Sequence, residues 1–160
     1  MSFLRREPPA RQATEAAAAD DSQAALTARL VALVALINSS AGRLPVEAVV
    51  TALNVTDTLS EVVADVDDPH FDIHALVTLQ GILDDYLPTT VQAYLGLEPS
   101  VVEVARPTGE TPRASLLEQL EALWLAATDL LAAVRAHDAD QLLAQGSFLR
   151  TKFTGSDLDL

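Results

Sequence analysis

Cysteine is absent from the chain. Its absence excludes disulfides, thiolate nucleophiles, zinc–thiolate sites and iron–sulfur clusters. Aromatic residues are scarce at 4%, whereas apolar residues reach 49%, so Ala, Leu and Val must fill the core. Positive charge is scarce too: ten Lys+Arg, of which only Lys152 is lysine, stand against 23 Asp+Glu, a formal net charge of −13. Nucleic acid and anionic membrane surfaces both demand a cationic footprint, so neither is expected as a partner. The longest apolar run, Leu30–Ile37, falls far short of the ~20 residues that span a bilayer. Met1–Arg11 carries three Arg and the pair Pro8-Pro9 without an apolar stretch, so it does not read as a secretory signal. A cytoplasmic protein is the expectation. The six glycines are isolated, with no G-x-G-x-x-G, Walker or G-x-S-x-G pattern.

What is present reads as one all-α domain, because 160 residues match the size of a single domain and the apolar fraction is too high for disorder. Residues 1–21 read as a flexible N-terminal tail, 22–153 as a helical bundle and 154–160 as an acidic C-terminal tail. The first bundle helix starts at Asp21 or Ser22, and Leu26, Leu30, Leu33 and Ile37 recur along one stripe. Pro45 opens the second helix. Its apolar faces are Val46, Val49, Val50 and Leu53, then Val55, Leu59, Val62 and Val66. Asp68 as cap and Pro69 at the first helical position start the third, which turns Ile73, Leu76, Leu79, Leu83 and Tyr86 inward. Pro88 removes an N–H and clashes with a carbonyl one turn back, so a kink is expected there. Residues 98–112, with three prolines and Gly109, form the longest connection, and Val101, Val102 and Val104 suggest a short extended piece.

The fourth helix begins at Thr111-Pro112 and runs Leu116, Leu120, Leu123, Ala127, Leu130 and Val134 along one stripe, with Leu117, Trp124 and Leu131 on a second. Two stripes predict burial on two sides, with Trp124 mostly buried. His137-Asp138 is expected to end it. A last helix then carries Leu142, Gly146, Leu149 and Phe153. Gly146 costs about 1 kcal/mol relative to Ala in a helix, a cost that close approach of another helix would explain.

Few residues suggest chemistry. His70 and His74 are four apart, the spacing of a helical metal-chelating pair, beside Asp67, Asp68 and Asp72. An H-E-x-x-H site would need Glu where Phe71 stands, and a calcium loop starting at Asp65 would need Gly and Glu where His70 and Leu76 stand. The two histidines are therefore weak metal candidates, and neither a metal nor a cofactor is expected. Asp84 and Asp85 are adjacent and point apart on a helix, which suits solvent better than acid–base work. Tyr86, Tyr94 and Trp124 are the candidates for a ligand cavity or an interface. No nucleophile–base set is visible, so an enzyme is not expected.

Some of these residues form a pattern together: Asp85-Tyr86-Leu87-Pro88 followed by Tyr94-Leu95, Thr111-Pro112-Arg113 leading to Leu116-Leu117-Glu118-Gln119-Leu120, and Leu142, Gln145, Phe148-Leu149 and Phe153. The pattern, over residues 70–153, resembles a group of uncharacterised actinobacterial helical domains. More distantly it is similar to the helical part of the 5-bromo-4-chloroindolyl phosphate hydrolysis proteins. The resemblance implies a bacterial helical adaptor and carries no catalytic residue.

The sequence thus predicts an up-and-down bundle of about five helices, kinked at Pro88. The leading functional expectation is a non-catalytic interaction or adaptor module, working through an apolar helical surface or as a homo-oligomer. The alternative is a small-molecule or metal-binding protein with a cavity near Tyr86, Tyr94 and Trp124. Because no thiolate is available and the His70/His74 face reads as solvated, folding should need no metal. Addition of EDTA should leave the circular-dichroism melt unchanged; a drop in melting temperature would refute this.

Overall fold

The computed structural model describes residues 9–154. Among them regular structure is entirely helical: α1 (Pro9–Asp20), α2 (Gln23–Ser39), α3 (Val46–Val63), α4 (Ile73–Gln80), a π-helical turn (Gly81–Tyr86), α5 (Leu87–Leu95) and α6 (Pro112–Thr154). Since α4, the π turn and α5 follow without a break, the described chain makes five helical rods. Ser22 caps α2, its hydroxyl accepting the Ala25 N–H at 3.3 Å. The stripe Leu26, Leu30, Leu33 and Ile37 is fully inside, as its spacing required.

The proline at 88 leaves its mark one turn earlier than itself. Pro88 offers no N–H, and its ring crowds the carbonyl of Asp84. The chain answers by widening the preceding turn: the Leu87 N–H donates to the Ile82 carbonyl, five residues back. This wider turn sets Leu87 and Val91 inward and swings Tyr86 out, leaving it 58% exposed although its spacing from Leu79 and Leu83 pointed inward. Gly81 belongs to the same feature, because a Cβ there would lie 3.1 Å from the Tyr86 ring. Ile73 is exposed as well, since the rod begins at Ile73 rather than at Pro69. Asp72, not Asp68, is the cap, accepting the His74 N–H at 3.1 Å. Asp68 instead braces a turn by accepting the His70 N–H at 2.7 Å.

Around the core, α2 packs on α3, α3 on α6, and α6 on α4 and α5, while the π turn closes back onto α2. Side-chain pairs give the directions. Gln23 N–H donates to Asp67 at 2.8 Å, joining the start of α2 to the end of α3, so these two are antiparallel. Arg113 pairs with Glu47 at 3.2 Å at the start of α6 and α3, and Arg135 pairs with Glu61 further along, so α3 and α6 are parallel. Arg29 with Asp84 at 2.7 Å, and Arg43 with the Leu95 carbonyl, set α2 parallel to the α4–α5 rod. The chain runs up and down in sequence, yet its most extensive contact is between parallel neighbours. Residues 64–72 accordingly cross one end of the bundle from α3 to the far rod.

Ala48, Ala52 and Ala127 are completely buried, as are Val55, Leu59 and Leu120, with Leu130 nearly so. The two-faced reading of α3 holds in part: the helix packs on both α2 and α6, Val55, Leu59 and Val62 are buried, and Val49 and Leu53 pack against the core, but Val46 and Val50 are exposed while Ala48 and Ala52 are buried. In residues 98–112 no strand forms. Val101 and Val104 lie in successive turns, and Val102 packs on the core while its carbonyl accepts the Arg113 N–H at 3.1 Å. Gly109 is held at φ 90, a backbone state that favours glycine.

Two further boundaries differ from those the sequence suggested. Residues 9–20, read as tail, form α1, because alanine is the best helix former and Pro9 suits the first position. Residues 1–8 and 155–160, the rest of both expected tails, lie outside the described residues. The break expected at His137-Asp138 is absent: α6 runs 43 residues from Pro112 to Thr154, since neither His nor Asp interrupts a helix as Pro does. The α3–α6 contact yields a direct test. Ala52→Leu should lower stability by about 1–3 kcal/mol through overpacking, whereas Leu at exposed Val50 should change it by less than about 0.5 kcal/mol, both read from urea unfolding.

Candidate interaction surface

The residues singled out from sequence do not converge. His70 sits in the turn before α4 and His74 in its first turn, so they do not share a helical face. The His70 ring lies 3.3 Å from Asp68. Among the described residues no three His, Asp or Glu side chains are placed to hold a metal ion. Tyr94 is buried and lines two clefts at the α5–α6 end of the bundle, one with Pro112 and Gln119 and one with Arg43 and Pro99. Neither Tyr86 nor Trp124 lines either cleft. Trp124, expected to be mostly buried, is 40% exposed. The buried line of α6 passes through Leu120, Ala127 and Val134, and a residue on the stripe beside it reaches the core only where a neighbour overhangs, as at Leu131. Asp84 and Asp85 are exposed, Asp84 on Arg29 and Asp85 accepting from Thr89 at 3.3 Å.

A groove of about 380 Å³ opens between α2 and α3, lined by Leu30, Val31, Val34 and Val63 with Asp57 and Ser60 at its polar edge. It is shallow and holds no unsatisfied buried polar side chain, so nothing in it selects a ligand.

The distinctive surface lies where α6 leaves the bundle. The His70 carbonyl stands 3.0 Å from His137 Nε2 and accepts the Gln141 side-chain amide at 3.3 Å. This polar latch fixes α6 to the 64–72 crossing. From His137 the helix runs about 25 Å further at 1.5 Å per residue. On that projecting stem every apolar side chain larger than alanine is in solvent: Leu142 is 71% exposed, Phe153 65% and Leu149 41%, with Leu143 and Phe148 also exposed.

These side chains are ordered. At 3.6 residues per turn, Leu149 is about two turns and Phe153 about three turns from Leu142, so the three share one line. Trp124 lies about five turns back on that same line. The stripe once expected to line a fifth bundle helix is therefore in register with the Leu117–Trp124–Leu131 stripe along one uninterrupted rod: Leu131 is buried in the bundle, and past His137 the same line is in solvent. The signal was present in the sequence: the spacing from Leu131 to Leu142 is about three whole turns, which only an unbroken helix keeps in line. Gly146 falls on this face with nothing within 4 Å of a Cβ placed there, so no neighbour within the bundle explains it.

Comparison with family models, with curated proteins and with solved structures finds no match to this chain. Several residues that carry the resemblance over 70–153, Leu87, Tyr94, Leu116 and Leu120, are core residues, whereas Phe148, Leu149 and Phe153 are stem residues. No single helix among the described residues is long and apolar enough to cross a membrane.

The hydrogen bond from the His70 N–H, helped by the His70 side chain and by the nearby His137 ring, holds the Asp68 carboxyl below its ordinary value of 3.8. A carboxyl lowered in the folded state stabilises above its unfolded pKa and loses that contribution as pH falls through the folded value. The melting temperature of Asp68→Asn should lie slightly below that of the native protein near neutrality. The two curves should converge under strong acid; a constant gap down to the lowest pH would refute the charge effect.

Proposed function

We propose that this protein is a non-catalytic helical interaction module whose working surface is the projecting half of α6. One observation carries the reading: Leu142, Leu149 and Phe153 stand in solvent on a single line of a helix that has left its own bundle. Exposed apolar stripes of this kind mark protein–protein contacts, because leaving several large apolar side chains in water forgoes roughly 1.5–3 kcal/mol for each. The α6 stem is an amphipathic helix of the type that lies in a groove or against another helix. The charge of −13 turns the reading away from nucleic acid and anionic lipid. The resemblance of residues 70–153 to bacterial helical domains supports a bacterial adaptor role.

The test uses side chains that the bundle core does not contain. A Leu142→Ser/Leu149→Ser/Phe153→Ser variant should keep the native melting temperature within a few degrees. It should sediment as a 17.0 kDa monomer where the native protein sediments as a larger species or carries a bound protein. A native protein that is strictly monomeric and free of any bound protein would overturn the reading.

A further inference from the structure

We infer that the partner of the α6 stem is a second copy of this chain, the two stems lying antiparallel and crossing at Gln145–Gly146. The inference rests on the interaction reading above and names its partner. The charges on the stem are self-complementary. Asp138 and Lys152 sit on the same flank of the Leu142–Leu149–Phe153 line, seven residues to either side of Gln145. Two antiparallel helices related by a two-fold axis bring equal flanks together, reversed end for end. Asp138 of each copy then faces Lys152 of the other, and the pair forms twice. A parallel arrangement would instead set this flank against the opposite one, which carries Leu143 and Arg150, and Asp138 and Lys152 would not meet.

The apolar line obeys the same symmetry. Leu142 and Leu149 lie nearly equidistant from the crossing point, so each meets the other across the axis. Phe153 reaches Ala139, a small side chain beside the latch. Gly146 falls where the helices come closest, and the open space around it within one chain is the space a second helix backbone would occupy. Lys152, the only lysine in the chain, lies 5.8 Å from the Phe148 ring, which positions its ammonium near the stem tip. The acidic bundles sit at opposite ends of the paired stems, so the repulsion between two bodies of charge −13 is spread over the length of the contact.

Because the chain contains no cysteine, single-cysteine variants and a short bis-maleimide report the geometry directly. In the full-length protein, Gln145→Cys should cross-link to itself. Ala139→Cys should not, its two copies being about 20 Å apart at 1.5 Å per residue from the crossing. A mixture of Ala139→Cys with Phe153→Cys should cross-link. Asp138→Lys should weaken the dimer several-fold, and the double exchange Asp138→Lys/Lys152→Asp should restore it. Self-linking of Ala139→Cys as efficient as that of Gln145→Cys would overturn the antiparallel arrangement. Absence of any Gln145→Cys product, with assembly still lost in the triple serine variant, would overturn the second-copy partner and leave the interaction reading standing. A native protein that neither assembles nor cross-links would overturn both.

Discussion

The parallel contact between α3 and α6 is the constraint from which the rest of the architecture follows. It is the most extensive contact between any two elements of the described chain, and Ala48, Ala52 and Ala127 are among the completely buried residues of these two helices. Parallel alignment sets the first turns of both helices side by side, with Arg113 held between Glu47 and Glu103. Those carboxylates raise the Arg113 pKa above its ordinary value, the Glu103 hydrogen bond most of all, although exposed pairs of this kind add little stability. With their starting ends level, the difference in length must appear at the other end. There α3 stops at Val63, while α6 continues to Thr154. The same parallelism forces residues 64–72 to cross the bundle, and that crossing supplies the His70 carbonyl against which α6 is latched.

Helix content was legible wherever periodicity and punctuation agreed. Ser22 and Pro112 marked ends, and the α2 stripe gave its buried face directly. What escaped was three-dimensional. The period of α3 does not distinguish the line of Val46 and Val50 from that of Ala48 and Ala52, because alanine is a weak marker of burial and valine a strong one. Tyr86 was misplaced because its direction depends on a wide turn whose cause, Pro88, follows it in sequence.

The candidate surface was half visible. Leu142, Gly146, Leu149 and Phe153 were recognisable as one face, but the supposed boundary at His137-Asp138 assigned that face to the core. Asp and His are poor helix interior residues without being breakers, and the packed α6 upstream carries the helix through them. Trp124 was assigned inward because it shares a stripe with Leu117 and Leu131; Leu131 is buried, but Trp124 is 40% exposed.

The length of α6 beyond its latch has an energetic consequence of its own. Tertiary packing supports most helices in proteins, and isolated segments shorter than about 12–15 residues are marginal in water. The stem is only slightly longer than that limit, with glycine near its middle. Its helical state is therefore governed by a local helix–coil equilibrium that is separate from the cooperative unfolding of the bundle. Amide protons past Gln145 should exchange far faster than those of Leu120 or Ala127.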